Sequence, residues 1–369
     1  MKRIFSYTIT AQDSDQRIYD FLCHHGYSRH IRTWLKQHPG SVRLNDKEAL
    51  FYFPLKTGDL LEITLEEEQP SENIIPVCLP LHIIYEDEDL MVIDKPANMP
   101  VHPSIGNYEN TLANAVAWYF QQQNIPFVFR CINRLDRDTT GLLILAKNML
   151  SGAILSDQMK KREIHRIYLA ITEGKTDPAG TINRPIGRAD QSLILRQVDP
   201  DKGDPACTHY LQKCWHPKTF YPATLSVPQD GLSLVQLQLE TGRTHQIRVH
   251  MTSIGHPLIG DTLYNPETAL LARQALHSYR LAFTHLSPEF PWSLLHPSLQ
   301  IWQNCSRNIM RKYFYDVVVQ KIQKRSEKCF FTFFRSFYFS HDISVYPTEF
   351  PCFPTLRESA VPLPHADIC

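Results

Sequence analysis

The sequence predicts an α+β protein in which a mixed, largely antiparallel sheet follows a small N-terminal α/β module. Three observations predict it. Strand-like stretches, among them "RIYLAITEG", "LSLVQLQLETG" and "THQIRVHM", outnumber helical ones. They do not alternate regularly with helices, which argues against a doubly wound parallel sheet. A Glu- and Pro-containing stretch, "EEEQPSENIIP", separates a first region with its own helices and strands from the rest.

In the first region, "RIYDFLCHH" puts Ile18, Phe21 and Leu22 at helical spacing. "SRHIRTWLKQH" continues as a second helix with Ser28 at its N-cap. "GSVRLNDKEA" reads as a strand and a polar turn. "KTGD" turns into an alternating strand through Leu61, Ile63 and Leu65. Arg29, Arg32 and Lys36 recur at helical spacing, so they form either a basic stripe that meets phosphates or a solvated helix face. Beyond the linker, "LHIIYEDEDLMVIDKP" is a hairpin by pattern. "TLANAVAWYFQQQ" is a helix with Leu112, Ala115, Val116 and Tyr119 on one face. The expected organisation is a module over 1–70, a linker over 71–80, a main domain over 81–303 and a tail over 304–369. The tail clusters aromatics without a usable period and is Pro-rich, as in "CFFTFFRSFYFS" and "YPTEFPCFPTL". It reads as an extension without packed structure; the alternative is a basic and aromatic surface that stacks on RNA.

Composition narrows the class. The 369 residues are 43% hydrophobic and 21% charged, as in a soluble globular chain. Lys+Arg and Asp+Glu are equal at 38 each, so net charge argues for no particular partner and any nucleic-acid site has to come from the placement of charge. The start lacks the apolar core of a signal peptide, and no apolar run approaches the roughly 18 residues of a membrane span. The 9 cysteines form no Cys-x-x-Cys pair and no zinc-type spacing. A cytoplasmic protein with no metal, no cofactor and no membrane partner is expected.

Three stretches carry chemistry. In "INRLDRDTTGLLILAK", Asp136 lies between Arg134 and Arg137, directly before a very apolar strand. Neighbouring cations keep a carboxylate ionised, and an ionised, positioned Asp serves as nucleophile or base. An exposed turn of mutually satisfied charges is the competing reading. In "TGRTHQIRVHMTSIGHPLIGD", read as a strand, Gln246, Arg248 and His250 share a polar face, and His245 and His250 point to opposite sides, which discounts a metal pair. In "HRIYLAITEG", Arg166 and Tyr168 share a face; Tyr168 either stacks on a base or packs as an ordinary strand tyrosine.

These motifs, followed by "LHSYRLAFTH", resemble in content and order the successive signatures of the RluA-type pseudouridine synthase family. "IYEDEDLMVIDKPANMPVHPS" resembles the family's opening hairpin, so the resemblance covers about Leu81 to Gln303. "YSRHIRTWLK", "VRLNDK" and "LKTGDLLEI" are similar to the alpha-L RNA-binding module. The resemblance implies a pseudouridine synthase fold with a central active-site cleft, and an isomerase that turns RNA uridine into pseudouridine without a cofactor. It implies Asp136 as the catalytic carboxylate, Arg248 as its partner and Tyr168 as the tyrosine against the base. Arg134 falls on the arginine that helps displace the target nucleotide, and Leu276 on a leucine lining the base pocket. Asn133 stands where most members have His, and it is expected among the substrate-binding residues. Arg29, Arg32 and Lys36 become RNA contacts of the module. Large-subunit ribosomal RNA is the favoured substrate, transfer RNA the next, and a monomer is expected. Rival readings are an RNA-binding protein that keeps only the fold, and a glycosylase that releases the base.

Overall fold

The computed structural model describes residues 1–285 apart from 72, 190, 191, 193, 222, 224, 225, 268 and 269, together with the strand 299–302. The tail over 304–369 lies outside the described residues. The first region holds β1 (Lys2–Thr8), α1 (Ile18–His24), α2 (Arg29–Gln37), β2 (Val42–Leu44), β3 (Lys47–Glu48) and β4 (Leu60–Glu66). Then come β5 (Ile83–Glu86), β6 (Leu90–Lys95), α3 (Leu112–Gln121), β7 (Arg130–Cys131), β8 (Thr140–Ala146), α4 (Met149–Lys160) and β9 (His165–Glu173). The main domain continues with β10 (Ala179–Asn183), β11 (Ile186–Arg188), β12 (Arg196–Val198), β13 (Cys207–His216), β14 (Leu232–Leu239), α5 (Gln246–Ser253), β15 (Leu276–Phe283) and β16 (Leu299–Trp302).

The expected α+β class with a mixed sheet is what forms. The large sheet runs β10-β13-β14-β9-β15-β8-β6-β5, with β16 beside β15 and β7 beside β8. Its pairs are antiparallel except β15 with β8, which run parallel. That parallel pair is very close. A Cβ on Gly141, whose φ is +106°, would lie 2.2 Å from the Ser278 carbonyl oxygen. Only glycine accepts both that backbone angle and that approach.

Two cores lie on opposite faces of the sheet. On β6, Leu90 and Val92 point into one and Met91 and Ile93 into the other. On β8, Leu142, Ile144 and Ala146 join the first, and Leu143 and Leu145 the second. The unbroken run "LLILA" is therefore a strand covered on both faces, whose period-two signal vanishes because both sides are apolar. Leu150, Ile154 and Leu155 of α4 cover the first face together with the N-terminal module. Leu112, Val116 and Phe120 of α3, with Ile247 and Met251 of α5, cover the second.

The module is a four-stranded sheet, β1-β4-β2-β3, with two helices. Its Phe5, Phe21, Ile31, Leu61 and Ile63 belong to the same apolar cluster as Leu90, Leu142 and Phe283 of the main sheet. Ion pairs stitch the same contact: Arg3 Nε lies 3.2 Å from Asp89, and Arg130 is paired with Glu67. The shared core makes the module a layer packed against the main sheet. Each large side chain stripped of this cover would forfeit about 1.5–3 kcal/mol of burial.

One predicted element is corrected. "THQIRVHM" is not a strand: Gln246–Ser253 is the helix α5. Gln246, Ile247, Arg248, Val249, His250 and Met251 are all buried. A helix enclosed on every side shows no amphipathic period, and its brief polar–apolar alternation imitates a strand.

Candidate active site

The loop over 133–139 enters β8 and is held from three directions. Lys95, at the end of β6, is fully buried, and its ammonium donates to the carbonyls of Pro96 (2.8 Å), Met99 (2.8 Å) and Arg137 (2.9 Å). Burial pulls the Lys95 pKa down to about 8, while the Asp138 and Asp136 charges work against that fall. Asn98 N donates to Asp138 at 3.1 Å, and the Arg137 guanidinium donates to the Asn98 side chain. From the other side, Gln274 donates to Thr139 at 3.2 Å, and Thr140 and His277 are hydrogen-bonded at 2.8 Å. A loop with its backbone and side chains so engaged presents Asp136 in one orientation.

Asp136 meets Arg248 as the resemblance implied: Arg248 Nη1 donates to Asp136 Oδ2 at 3.1 Å. The Asp136 side chain is 26% exposed and that of Arg248 5%, so the carboxylate looks outward from a buried cation. The helical geometry of α5 changes its companions. On a strand, Gln246, Arg248 and His250 would share a face. On the helix, Gln246 and His250 lie one turn apart, and both hydrogen-bond the Thr208 hydroxyl, at 3.0 and 2.9 Å. Arg248 points elsewhere, to Asp136.

Sequence reasoning missed the residue that fixes Arg248. Asp261, fully buried, accepts from Arg248 Nε and Nη2, both at 2.7 Å. Asp261 Oδ1 also accepts from the backbone N–H groups of Leu263 and Tyr264. Burial works to lower the Arg248 pKa, but the hydrogen bonds and charges of Asp261 and Asp136 outweigh it and hold the guanidinium above its usual value. Arg248 is thus a permanent cation with a fixed fork: two arms on Asp261, one on Asp136. "GHPLIGD" contained the residue, but its thirteen-residue separation from Arg248 says nothing until α5 and the following turn are folded.

His245 and Tyr264 were also not foreseen as part of this cluster. His245 has a left-handed backbone (φ 57°) just before α5. Its Nδ1 is hydrogen-bonded to the Tyr264 hydroxyl at 2.9 Å, and its Nε2 lies 4.0 Å from Asp136. Burial lowers the His245 pKa, with Asp136 opposing, so the ring is neutral near pH 7. The Tyr264 ring lies 5.0 Å from the Arg248 guanidinium carbon, a cation–π contact.

The remaining expected residues fall into three groups. Tyr168 and Leu276 are buried and share one apolar cluster with Leu135 and Ile247 beside Asp136. Burial raises the Tyr168 pKa, with the Asp136 charge adding to it and Arg166 opposing, so the phenol keeps its proton. Arg134 is exposed on the same loop, close enough to His102 for its charge to add to the lowering that burial causes there. Asn133 is buried behind the loop: its side-chain oxygen accepts from Ile144 N at 2.8 Å and its amide donates to Leu142 O at 3.3 Å. Both ends of that amide are spent on β8.

Arg29, Arg32 and Lys36 lie on α2, away from this loop. Ser28 caps the helix by accepting from Ile31 N at 3.4 Å, and Ile31 and Leu35 bury one face. Arg29 and Lys36 are exposed. Arg32 donates to the Tyr27 carbonyl and lies 5.2 Å over the Tyr19 ring, and Lys36 lies 5.4 Å over Phe51. A groove of about 510 Å³ beside them is lined by Tyr19, Lys36, Phe51 and Tyr52.

One ionised carboxylate beside a fixed guanidinium, with a neutral phenol and an apolar wall, suits chemistry on a glycosidic bond and retention of a detached flat ring. The comparisons agree with that character. Residues 89–253 match the family model described as RNA pseudouridylate synthase. The chain is 39% identical over 261 residues to the uncharacterized RNA pseudouridine synthase YjbO of Bacillus subtilis, spanning 70% of this chain and 87% of that protein. It is 40% identical over 256 residues to YhcT of the same organism, which bears the same description, spanning 69% and 80%. It is 37% identical over 250 residues to the ribosomal large subunit pseudouridine synthase D of Zymomonas mobilis, spanning 63% and 74%. With a fold of the expected class and relatives of this identity and coverage, the chain belongs to the RluA-type RNA pseudouridine synthase family and is an isomerase of RNA uridine.

Proposed function

We propose that this isomerase modifies uridines of large-subunit ribosomal RNA, with Asp136 as the carboxylate that meets the ribose of the target. The observation that carries the reading is the three-armed hold of Arg248 on Asp261 and Asp136. It keeps one carboxylate oriented and partly open while its partner stays buried. Breaking the bond between ribose and ring nitrogen builds positive character on the sugar, or needs a sugar proton removed. An ionised Asp136 serves either route, as nucleophile or as base. Arg248, charged throughout, balances the changing charge on Asp136.

A paired or stacked uridine has to leave its stack to reach that carboxylate. Exposed Arg134 takes the vacated space and contacts phosphate, and Tyr168 lies against the extruded base. Leu276 and Leu135 keep the detached uracil from diffusing before it rejoins through a ring carbon. Asn133 acts from behind by tying the loop to β8. Arg29 and Lys36, with the aromatic groove of Tyr19, Phe51 and Tyr52, give the N-terminal module a surface for single-stranded RNA. The ribosomal target follows from the naming of relatives such as the Zymomonas mobilis protein; transfer RNA is the second candidate. No helix among the described residues is long and apolar enough to cross a membrane. We propose a cytoplasmic monomer that needs neither metal nor cofactor for the isomerisation.

Pseudouridine mapping of total RNA from cells lacking the gene tests the reading. Specific large-subunit sites should revert to uridine, return with the wild-type gene, and stay unmodified with Asp136→Ala. Modified sites that persist in the deletion strain refute the ribosomal assignment. Free uracil released from RNA by the purified protein would make it a glycosylase instead.

A further inference from the structure

Three side chains of different ligand chemistry, none of them on the Asp136 loop, converge at the seam where β13 begins and β14 ends. Cys207 and His209 alternate on one face of β13. Glu240 follows the last residue of β14 and donates its backbone N–H to Cys207 O at 3.3 Å, which sets its side chain beside the other two. Their ligand atoms all lie within 4.8 Å of one another. Cys207 Sγ is 3.8 Å from His209 Nε2, and His209 Nε2 is 2.7 Å from Glu240 Oε1.

We propose that Cys207, His209 and Glu240, none of them assigned to the uridine site, form a binding site for a divalent transition metal, zinc by preference. Zinc bonds of about 2.3 Å to sulfur and about 2.0 Å to nitrogen and oxygen set neighbouring tetrahedral ligands about 3.3–3.6 Å apart. The observed separations bracket that range, so a few tenths of an ångström at Cys207 and a small swing of Glu240 complete the geometry. The mixed donor set of thiolate, imidazole and carboxylate suits zinc and is foreign to magnesium or calcium. The His209 ring is already oriented: its Nδ1 is hydrogen-bonded to the Thr181 hydroxyl at 2.9 Å, which leaves Nε2 facing the cluster. All three side chains are partly exposed, so an ion reaches them from solvent and water takes the fourth position.

The spacing of cysteines in the chain hid this site because its ligands come from two strands and are assembled by register. It also has a built-in competitor: Arg162 Nη1 lies 2.5 Å from Glu240 Oε2. Its positive charge opposes a cation at Glu240 Oε1, the oxygen that faces His209. The seam it would clamp adjoins α5, since Gln246 Nε2 donates to Cys207 O at 2.9 Å.

The test is titration of the chelator-stripped full chain with Zn²⁺ by calorimetry and with Co²⁺ by absorption. The wild type should bind one ion at this seam and show a thiolate-to-cobalt charge-transfer band. Cys207→Ser should abolish the band, and His209→Gln should weaken binding. Arg162→Ala should tighten it by about three- to tenfold, since it removes a positive charge next to the bound cation. That gain cannot be produced by misfolding, so it decides the matter if Cys207→Ser fails to fold. Cys23→Ser, an exposed cysteine far along the chain, should change nothing. Absence of stoichiometric binding by the wild type, a cobalt band that survives Cys207→Ser, or unchanged affinity in Arg162→Ala overturns the proposal.

Discussion

The two faces of the central sheet are built from the same strands and do different work. One face, with Val92 of β6 and Leu142 and Ile144 of β8, is closed by the N-terminal module and α4. The other, with Ile93, Leu143 and Leu145, lies under α3 and α5 and beside Asp136, Tyr168 and Leu276. Adjacent residues of β8 therefore serve stability on one side and the proposed reaction centre on the other. The difference teaches where charge is allowed. The first core is an apolar layer crossed at its margin by pairs such as Arg3 with Asp89. The second side accepts a buried Arg248 because Asp261 neutralises and orients it.

Substitutions on the two faces should separate activity from stability. The largest effect is expected from Asp136→Asn, which should lower turnover by roughly 10²–10⁴-fold or more while leaving the melting temperature near that of the wild type. Single-turnover pseudouridine formation and a thermal melt measure the two quantities, and an active Asp136→Asn protein would break the comparison. Ile144→Ala should do the reverse. It should cost about 2–5 kcal/mol of stability in denaturant titration, with the remaining folded protein turning over normally.

Lys95 sharpens the comparison, since it supports the Asp136 loop and yet acts through stability. Its folded pKa of about 8 lies below the ordinary 10.5. Between those values the unfolded chain holds a proton that the folded chain has shed, so this group makes stability rise with pH across that window and contributes no slope below it. Lys95→Met should remove that rise and destabilise the protein by leaving three carbonyls without their donor. A pH-stability curve identical to the wild type would count against it. The smallest effect is expected from Arg29→Ala or Lys36→Ala in the module. Each should weaken RNA binding uniformly and reduce the slope of log affinity against log salt by about 1. Such point variants are a cleaner probe than deleting the module, whose loss would uncover Leu90, Leu142 and Phe283.

Much of the molecule was legible in the chain because its signals are local. Ser28 before an apolar period of four marks the start of α2, and the alternation at Leu61, Ile63 and Leu65 marks β4. The order of charges around Asp136 and the resemblance it supports singled out the loop that meets Arg248. Pairing and enclosure were decided only in three dimensions. α5 is buried all round, so its sequence lacks the period that distinguishes a helix from a strand. Asp261, His245 and Tyr264 join Arg248 only after a turn brings them back, and Cys207, His209 and Glu240 meet only through strand register. The fusion of module and main domain into one core likewise depends on which apolar face meets which. By itself the sequence determined the class of fold, most of the elements and the identity of the charged loop, because propensity, capping and period act between near neighbours. The tertiary structure alone decided which carboxylate holds Arg248 and which layers share a core, because contacts between distant residues depend on how the whole chain packs.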